Sequence, residues 1–333
     1  MNQAQLLWQG IFGLDADRQT GPAPGGVVLF GRNLDPDPET GPGRCAELIG
    51  QLQRRWGQAA ALAVALDQEG GAVSRLRTWV GPTPGLFRLW NAGGAERCRA
   101  WGRLWGQGLA MLGCNVDFAP VADLWQDGSA MGDRCASADP RLAARAAGAF
   151  LHGLEGAGVR GCLKHWPGLG GTALDSHLGL PELREPAALA RNRQPFLALG
   201  HPDRLVMVAH LLTPDSQGRP ASLSRACVAG NPWGLQARWL PDDLEMGGCR
   251  DWDWDQRVRL VLEAGHQALL VCQTESGIDA CREAAQRLPA APCRPALDGF
   301  LDLRRRLAPG PVRFQPEAWR AWVQTIQTEA GRV

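Results

Sequence analysis

Seven short apolar runs alternate with longer amphipathic stretches along this chain, and that alternation constrains its fold more than any other feature. Gly26–Phe30 (Gly-Val-Val-Leu-Phe) and Ala61–Leu66 are apolar on both faces, as strands inside a parallel sheet must be. Asn115–Phe118, Gly161–Lys164, Leu205–Ala209, Arg238–Leu240 and Ala268–Cys272 are read as strands too. Between them, Trp101, Leu104, Trp105, Gly108 and Leu112 share one helical face. Leu142, Ala146, Ala149, Phe150 and Gly153 share another, after the helix start Asp139-Pro140. Residues 183–199, 255–265 and 276–288 complete the expected helices. Strands alternating with helices require a parallel sheet with crossover connections.

An open doubly wound sheet and a closed barrel both satisfy that pattern. The placement of polar residues favours the barrel. Arg32-Asn33, Asp67, Asp123, Lys164-His165, His210 and Asp242 each stand at or just beyond the end of an apolar run. Capable groups converging from many strand ends build a barrel's active face, whereas an open sheet uses only its switch point. The expected fold is therefore α/β, a single (β/α)₈ TIM barrel forming one domain over residues 1–333. Seven runs leave an eighth strand to be found, and its expected place is 291–302. Met1 to Leu14 holds a short apolar stretch that reads as a lead-in helix or strand.

A formal net charge of +1 gives no strong field toward nucleic acid or anionic lipid. No window approaches the ~20 apolar residues of a membrane span, and Met1 to Leu14 lacks the basic region and cleavage site of a signal peptide. The ten cysteines are scattered without a CxxC pair, which suits reduced, buried thiols. These features place the expected protein in the cytoplasm, with neither nucleic acid nor membrane as partner. Lys164 is the only lysine among 35 basic residues. Where arginine serves everywhere else, a surviving lysine marks a place for a compact ammonium that a guanidinium would not fit.

The densest chemistry lies in Lys164-His165-Trp166-Pro167-Gly168-Leu169-Gly170-Gly171-Thr172-Ala173-Leu174-Asp175-Ser176-His177. It lacks the spacing of a phosphate-binding loop, and its glycines suit a loop that moves. In an extended segment Asp175 and His177 project to one side, so the carboxylate can fix the imidazole's tautomer for proton transfer. Ser176 cannot form a triad with its immediate neighbours. Pro241-Asp242-Asp243-Leu244-Glu245-Met246 offers an acidic pair that can supply a nucleophile, bind a metal or cap a helix. One division is that Asp242 faces the site while Asp243 anchors the loop. Asp67 can accept hydrogen bonds from vicinal hydroxyls, with Arg75, Arg134 and Lys164 as donors. Together with 14 tryptophans available for stacking, such a pocket suits a carbohydrate. No Cys/His spacing matches a zinc site. His165 and His177 with Asp67 or Asp242 form only a minor alternative for a divalent ion.

GVVLFGRN (26–33), ALDQEGGAVSRLR (65–77), FAPVADL (118–124), MGDR (131–134), KHWPGLGGTALDSH (164–177), MVAHLLTP with ASLS (207–224) and PDDLEM (241–246) occur in that order. In these motifs the chain resembles the bacterial β-N-acetylglucosaminidases of glycoside hydrolase family 3, the type that acts in peptidoglycan recycling. The resemblance implies a (β/α)₈ barrel that hydrolyses terminal non-reducing β-N-acetylglucosamine with retention. It implies Asp242 as nucleophile, His177 as acid/base oriented by Asp175, and Asp67, Arg75, Arg134, Lys164 and His165 as sugar-binding groups. No cofactor or metal is required; the partner is a muropeptide or disaccharide containing N-acetylglucosamine, and the chain is expected to be a monomer. The chain departs from the family pattern at Leu169 and Gly171, where His and Asp are usual, at Ala72, where Arg is usual, and at Gln267, where Asp is often found. Pro232 and Trp233 also stand where a regular helix is expected. With Asp242, Asp175 and His177 all retained, an enzyme is expected rather than a silent sugar-binding protein. A family 3 glucosidase or xylosidase is the remaining enzymatic alternative.

Overall fold

The apolar runs pair as parallel strands because each is buried on both faces and satisfies its backbone only through its neighbours. In the computed structural model, residues 2–14, 16–19, 21–57, 59–127, 131–172, 179–308 and 313–333 are described. The strands are β1 Leu7–Gly10, β2 Gly26–Val28, β3 Ala63–Leu66, β4 Gln68–Gly70, β5 Val73–Ser74, β6 Val116–Asp117, β7 Arg160–Trp166, β8 Leu205–Val208, β9 Arg238–Pro241 and β10 Leu269–Val271. Eight of them form one parallel sheet in the order β10-β1-β2-β3-β6-β7-β8-β9. β4 and β5 form a small antiparallel ladder beside it. The two ends of the sheet meet: Gln267 N–H donates to the Trp239 carbonyl (3.0 Å) and Leu244 N–H to the Leu270 carbonyl (2.9 Å). The result is the expected (β/α)₈ barrel, and all seven expected runs are in it.

The eighth strand is β1, which pairs Leu7 with Leu269 and Trp8 with Gly26. Residues 291–302 instead lie within a helix, so that expectation is corrected. Gln9 interrupts the apolar pattern of β1, yet it is buried, and four residues give little periodicity to read. The prolines that obscured 291–302 sit near the start of a helix: Pro292 in its first turn, where the missing N–H costs nothing, and Pro295 just beyond it.

The helices are α1 Gly41–Trp56, α2 Arg77–Val80, α3 Leu86–Leu112, α4 Pro140–Glu155, α5 Pro186–Leu199, α6 Trp254–Ala264, α7 Glu275–Arg287, α8 Ala290–Arg306 and α9 Pro316–Ala330. None of the described helices is long and apolar enough to cross a membrane. α8 closes the N-terminal end of the barrel. Its Phe300 stacks on Trp8 (5.4 Å between centroids), which meets Phe118 inside (5.2 Å). The barrel interior is filled from that end by Val28, Ala65, Met207, Leu240 and Leu270, among others, and it opens at the C-terminal end. All ten cysteines are buried and free.

α3 and α4 cross at glycines. A Cβ on Gly102 would stand 2.0 Å from the Phe150 carbonyl oxygen, and one on Gly153 would stand 2.0 Å from that of Arg99. Backbone on both sides leaves neither helix room to yield. Gly153→Ala is therefore expected to destabilise the protein by about 1–3 kcal/mol, the usual cost of overpacking, which urea unfolding measures directly. An unchanged midpoint would show that the crossing adjusts freely.

No helix forms between Ser224 and Arg238. Turns take its place, and Trp233 packs against Trp166 (5.7 Å) under the Arg193 guanidinium (3.6 Å). Pro232 and Trp233 thus trade a regular helix for an aromatic plug.

Candidate active site

Strand ends carry most of the site. β3 delivers Asp67, and the β4–β5 ladder that follows places Glu69 and Arg75 beside it. The ladder is registered by Gln68, whose Nε2 donates to Ser74 Oγ (2.9 Å) and whose N–H donates to buried Asp117 (2.9 Å). β7 delivers Lys164 and His165, β9 delivers Asp242, and the turn Gly132–Arg134 brings Arg134 over the rim.

These residues line one cavity of about 400 Å³ at the C-terminal end of the barrel. Asp67, Glu69, Arg75, Arg134, Lys164, His165, Asp242, Asp243 and Gln273 are among its polar lining, and Phe118, Met207 and Leu270 are among its apolar lining. All six strand-borne or rim groups expected from the sequence and described here, Asp67, Arg75, Arg134, Lys164, His165 and Asp242, converge in it. Asp175 and His177 lie outside the described residues; the loop is described up to Thr172, which also lines the cavity.

Opposite charges alternate across one wall. Arg75 Nη2 meets Asp67 Oδ2 at 3.0 Å, and Lys164 Nζ bridges Asp67 Oδ1 (2.9 Å) and Glu69 Oε1 (2.7 Å). Arg134 grips Glu69 in a two-pronged contact (2.8 and 2.9 Å). Burial opposes charge at Asp67, but Lys164 and Arg75 outweigh it and hold the carboxyl well below the usual carboxylate range. Burial likewise opposes charge on Glu69, yet Lys164 and Arg134 bring it down to about 2. Lys164 is raised above its ordinary value by the two carboxylates, against the effect of its burial. The wall is thus a preformed array of charges that needs no proton rearrangement near neutrality. Glu69 is the member that sequence reasoning missed. Its only signal was its place two residues after Asp67, which puts both on one side of an extended segment.

His165 is held by Asp123, which is wholly buried at the end of the Phe118–Leu124 segment. Asp123 Oδ2 meets His165 Nδ1 at 2.8 Å, and Asp123 Oδ1 also accepts the Leu169 N–H (2.8 Å). A carboxylate accepts from Nδ1–H, so Nε2 is the nitrogen free of that proton. One side chain therefore sets a pocket histidine and the stem of the following loop together. Leu169 is buried among Val121, Met131, Cys135 and Leu183, and its N–H anchors the loop on Asp123. Gly171 has φ +90°, a conformation that an Asp side chain rarely adopts.

The other strand-end groups hold the scaffold. Arg32 donates to the Ile11 and Cys272 carbonyls (3.1 and 2.5 Å), and Asn33 donates to Ile11 and Gly13 (2.9 and 3.1 Å). His210 is buried behind the site, between Ser222 Oγ (2.7 Å) and the Asp243 carbonyl (2.8 Å). The tryptophans do not supply a stacking platform among the described lining residues; Trp8, Trp101, Trp105 and Trp166 are core instead, and Phe30 and Phe118 are the aromatic lining. Among the described residues, no group of three His, Cys, Asp or Glu side chains is arranged to hold a metal ion.

A parallel barrel with a deep, charge-lined cup at its C-terminal end defines a small-molecule enzyme site of the kind that grips a polyol. The chain belongs to glycosyl hydrolase family 3, whose N-terminal domain matches residues 20–291. It is 32% identical over 279 residues to a β-hexosaminidase of Pseudomonas aeruginosa, covering 81% of this chain and 82% of that protein. Its fold is similar to that of a family 3 β-N-acetylglucosaminidase from Paenibacillus sp. FPU-7, with a TM-score of 0.85, 27% identity, and coverage of 98% of this chain and 68% of that one. NagZ from Neisseria gonorrhoeae, solved with N-trifluoroacetyl-D-glucosamine, shares the fold at a TM-score of 0.80 and 24% identity, over 98% of each chain.

Proposed function

We propose that this protein is a retaining β-N-acetylhexosaminidase that releases terminal non-reducing β-N-acetylglucosamine. The reading is supported by family membership and by similarity to curated β-hexosaminidases over most of both chains. The observation that carries it is the meeting of Asp242 with the Asp67–Lys164–Glu69 wall in one cup. A sugar ring gripped at that wall presents its anomeric carbon to the opposite carboxylate.

The proposed roles combine the family resemblance with the arrangement of the described cavity residues. Asp67 accepts hydrogen bonds from sugar hydroxyls, Arg75, Arg134 and Lys164 donate around the ring, and His165 Nε2 accepts. Two of the three Lys164 N–H groups are committed to Asp67 and Glu69, leaving the third for substrate. Asp242 Oδ1 accepts the Asp243 N–H (2.8 Å), so Oδ2 is the oxygen that attacks the anomeric carbon. His177, oriented by Asp175, gives its proton to the departing glycosidic oxygen as that bond breaks. It then takes a proton from water, whose oxygen displaces Asp242 from the covalent glycosyl-enzyme; two displacements retain the configuration. No metal or cofactor enters these steps. One domain over residues 1–333 acting as a monomer in the cytoplasm, on muropeptides or disaccharides recovered from the cell wall, completes the proposal.

The test is to trap the intermediate. Incubation with a slow fluorinated N-acetylglucosaminyl donor should raise the protein's mass by one glycosyl group, and digestion should place it on the peptide containing Asp242. Modification elsewhere, or turnover with an inverted product, would refute the assignment.

A further inference from the structure

We propose that Asp243 is a positioning residue that aims the Asp242 carboxylate by latching the seam of the barrel. The inference rests on the reading of Asp242 as the nucleophile. β9 and β10 are the two ends of the sheet order, and they share no paired ladder. Backbone contacts join them at Gln267–Trp239 and Leu244–Leu270. Asp242 leaves β9 at this seam, with its own N–H donating to the Val208 carbonyl of β8 (2.9 Å) on the side away from β10.

The Asp243 side chain adds a further connection across the seam to these two backbone bonds. Its Oδ1 accepts the backbone N–H of Cys272 (3.2 Å), just beyond β10, and that of Glu245 (3.1 Å). Its Oδ2 accepts Gln273 Nε2 (3.0 Å). The Asp243 backbone is fixed at the same time: its N–H donates to Asp242 Oδ1 (2.8 Å), and its carbonyl faces His210 Nε2 (2.8 Å). His210 Nε2 must carry the proton there, so its Nδ1 accepts from Ser222 Oγ (2.7 Å). Asp243 is thus held from the β10 side through its side chain and from His210 through its carbonyl, while its N–H donates to the Asp242 carboxylate. A hydrophobic side chain could fill the space, but it could not reach across the seam.

The arrangement carries a charge cost that a plain anchor would not need. Asp243 is buried and flanked by Asp242 and Glu245; burial first, and those neighbours after it, push its carboxyl up to about 7 against its N–H donors. Retaining a carboxyl there is understandable if its hydrogen bonds set the nucleophile.

The test compares Asp243→Ala, Asp243→Asn, Gln273→Ala and Asp242→Ala on an aryl β-N-acetylglucosaminide. Asn keeps the acceptor oxygen for Cys272 and Glu245, and its amide can meet a turned Gln273. Asp243→Ala is expected to lower kcat about 100-fold, the effect of a displacement near 1 Å, with KM nearly unchanged and the folded CD spectrum retained. Asp243→Asn should recover at least a tenth of native kcat, and Gln273→Ala should fall between Asn and native. If Asp243→Ala does not fold, the Asn and Gln273 variants decide by the same comparison of kcat with KM. Native kcat in Asp243→Ala or Gln273→Ala, or equal losses in the Ala and Asn variants, would overturn the latch while an inactive Asp242→Ala upheld the nucleophile. An active Asp242→Ala would overturn both.

Discussion

Lys164→Met is expected to lower stability by about 3 kcal/mol and to abolish sugar binding. The lysine donates two charge-assisted hydrogen bonds, to Asp67 and Glu69, with its side chain only 3% exposed. Such bonds contribute roughly 1.5–3 kcal/mol each, and methionine fills the volume without replacing either. Arg75 and Arg134 still face the two carboxylates, which keeps the loss from being larger. Lys164→Arg should bind sugar no better, because the planar guanidinium has no room between two oxygens set for a compact ammonium. The pH dependence has a definite sign. Asp67 and Glu69 are depressed, so their contribution is present above the unfolded carboxylate range near pH ~4 and lost as pH falls toward about 2. Lys164 is raised, so its contribution is present below pH ~10.4 and lost above it. Urea unfolding should therefore show the widest gap between native and variant across the neutral range, closing on acidification below pH ~4. A gap under about 1 kcal/mol at neutrality would show the wall to be a solvated surface cluster.

Asp242→Ala is expected to lose roughly 10⁵-fold in kcat, comparable to removing a nucleophile in other covalent enzymes. Its stability should change little, since Asp242 is half-buried and its carboxylate accepts one local N–H, from Asp243. The sugar should still bind, because the opposite wall is untouched. Azide, entering the space left by the carboxylate, should restore turnover by attacking the anomeric carbon as the aryl group departs, giving the α-glycosyl azide. Calorimetry with N-acetylglucosamine and the azide product together separate a lost nucleophile from a lost fold. Residual activity near the native level would remove Asp242 from the mechanism.

Which features were legible follows from physics that is local or from physics that is not. Gly26–Phe30 and Ala61–Leu66 announced strands because burial on both faces leaves a continuous apolar run. Asp67, Lys164, His165 and Asp242 were legible because a strand end fixes where a side chain goes, whatever its neighbours do. β1 was hard to read because Gln9 is a buried polar residue in a four-residue strand, and 291–302 was misread because prolines near a helix start resemble a broken strand. Glu69 and Asp243 gave almost no local signal. Their roles depend on which strand lies next to which, through Lys164 across 95 residues in one case and through Cys272 and Gln273 in the other. The tryptophans misled for the same reason: Trp101, Trp105, Trp319 and Trp322 pack against one another at tilted and edge-on angles in the outer layer, and composition cannot distinguish that from a sugar platform. Leu169, expected to mark a departure from the family pattern, is a buried anchor packed among apolar neighbours.

The most direct measurement is release of the aryl group from an aryl β-N-acetylglucosaminide, run beside the matching β-glucoside, for the native chain and for Asp242→Ala. Rapid turnover of the N-acetyl substrate alone, abolished by the substitution, is the expected result. Turnover of the glucoside instead, or sugar binding by a folded native chain with turnover of neither substrate, would contradict it.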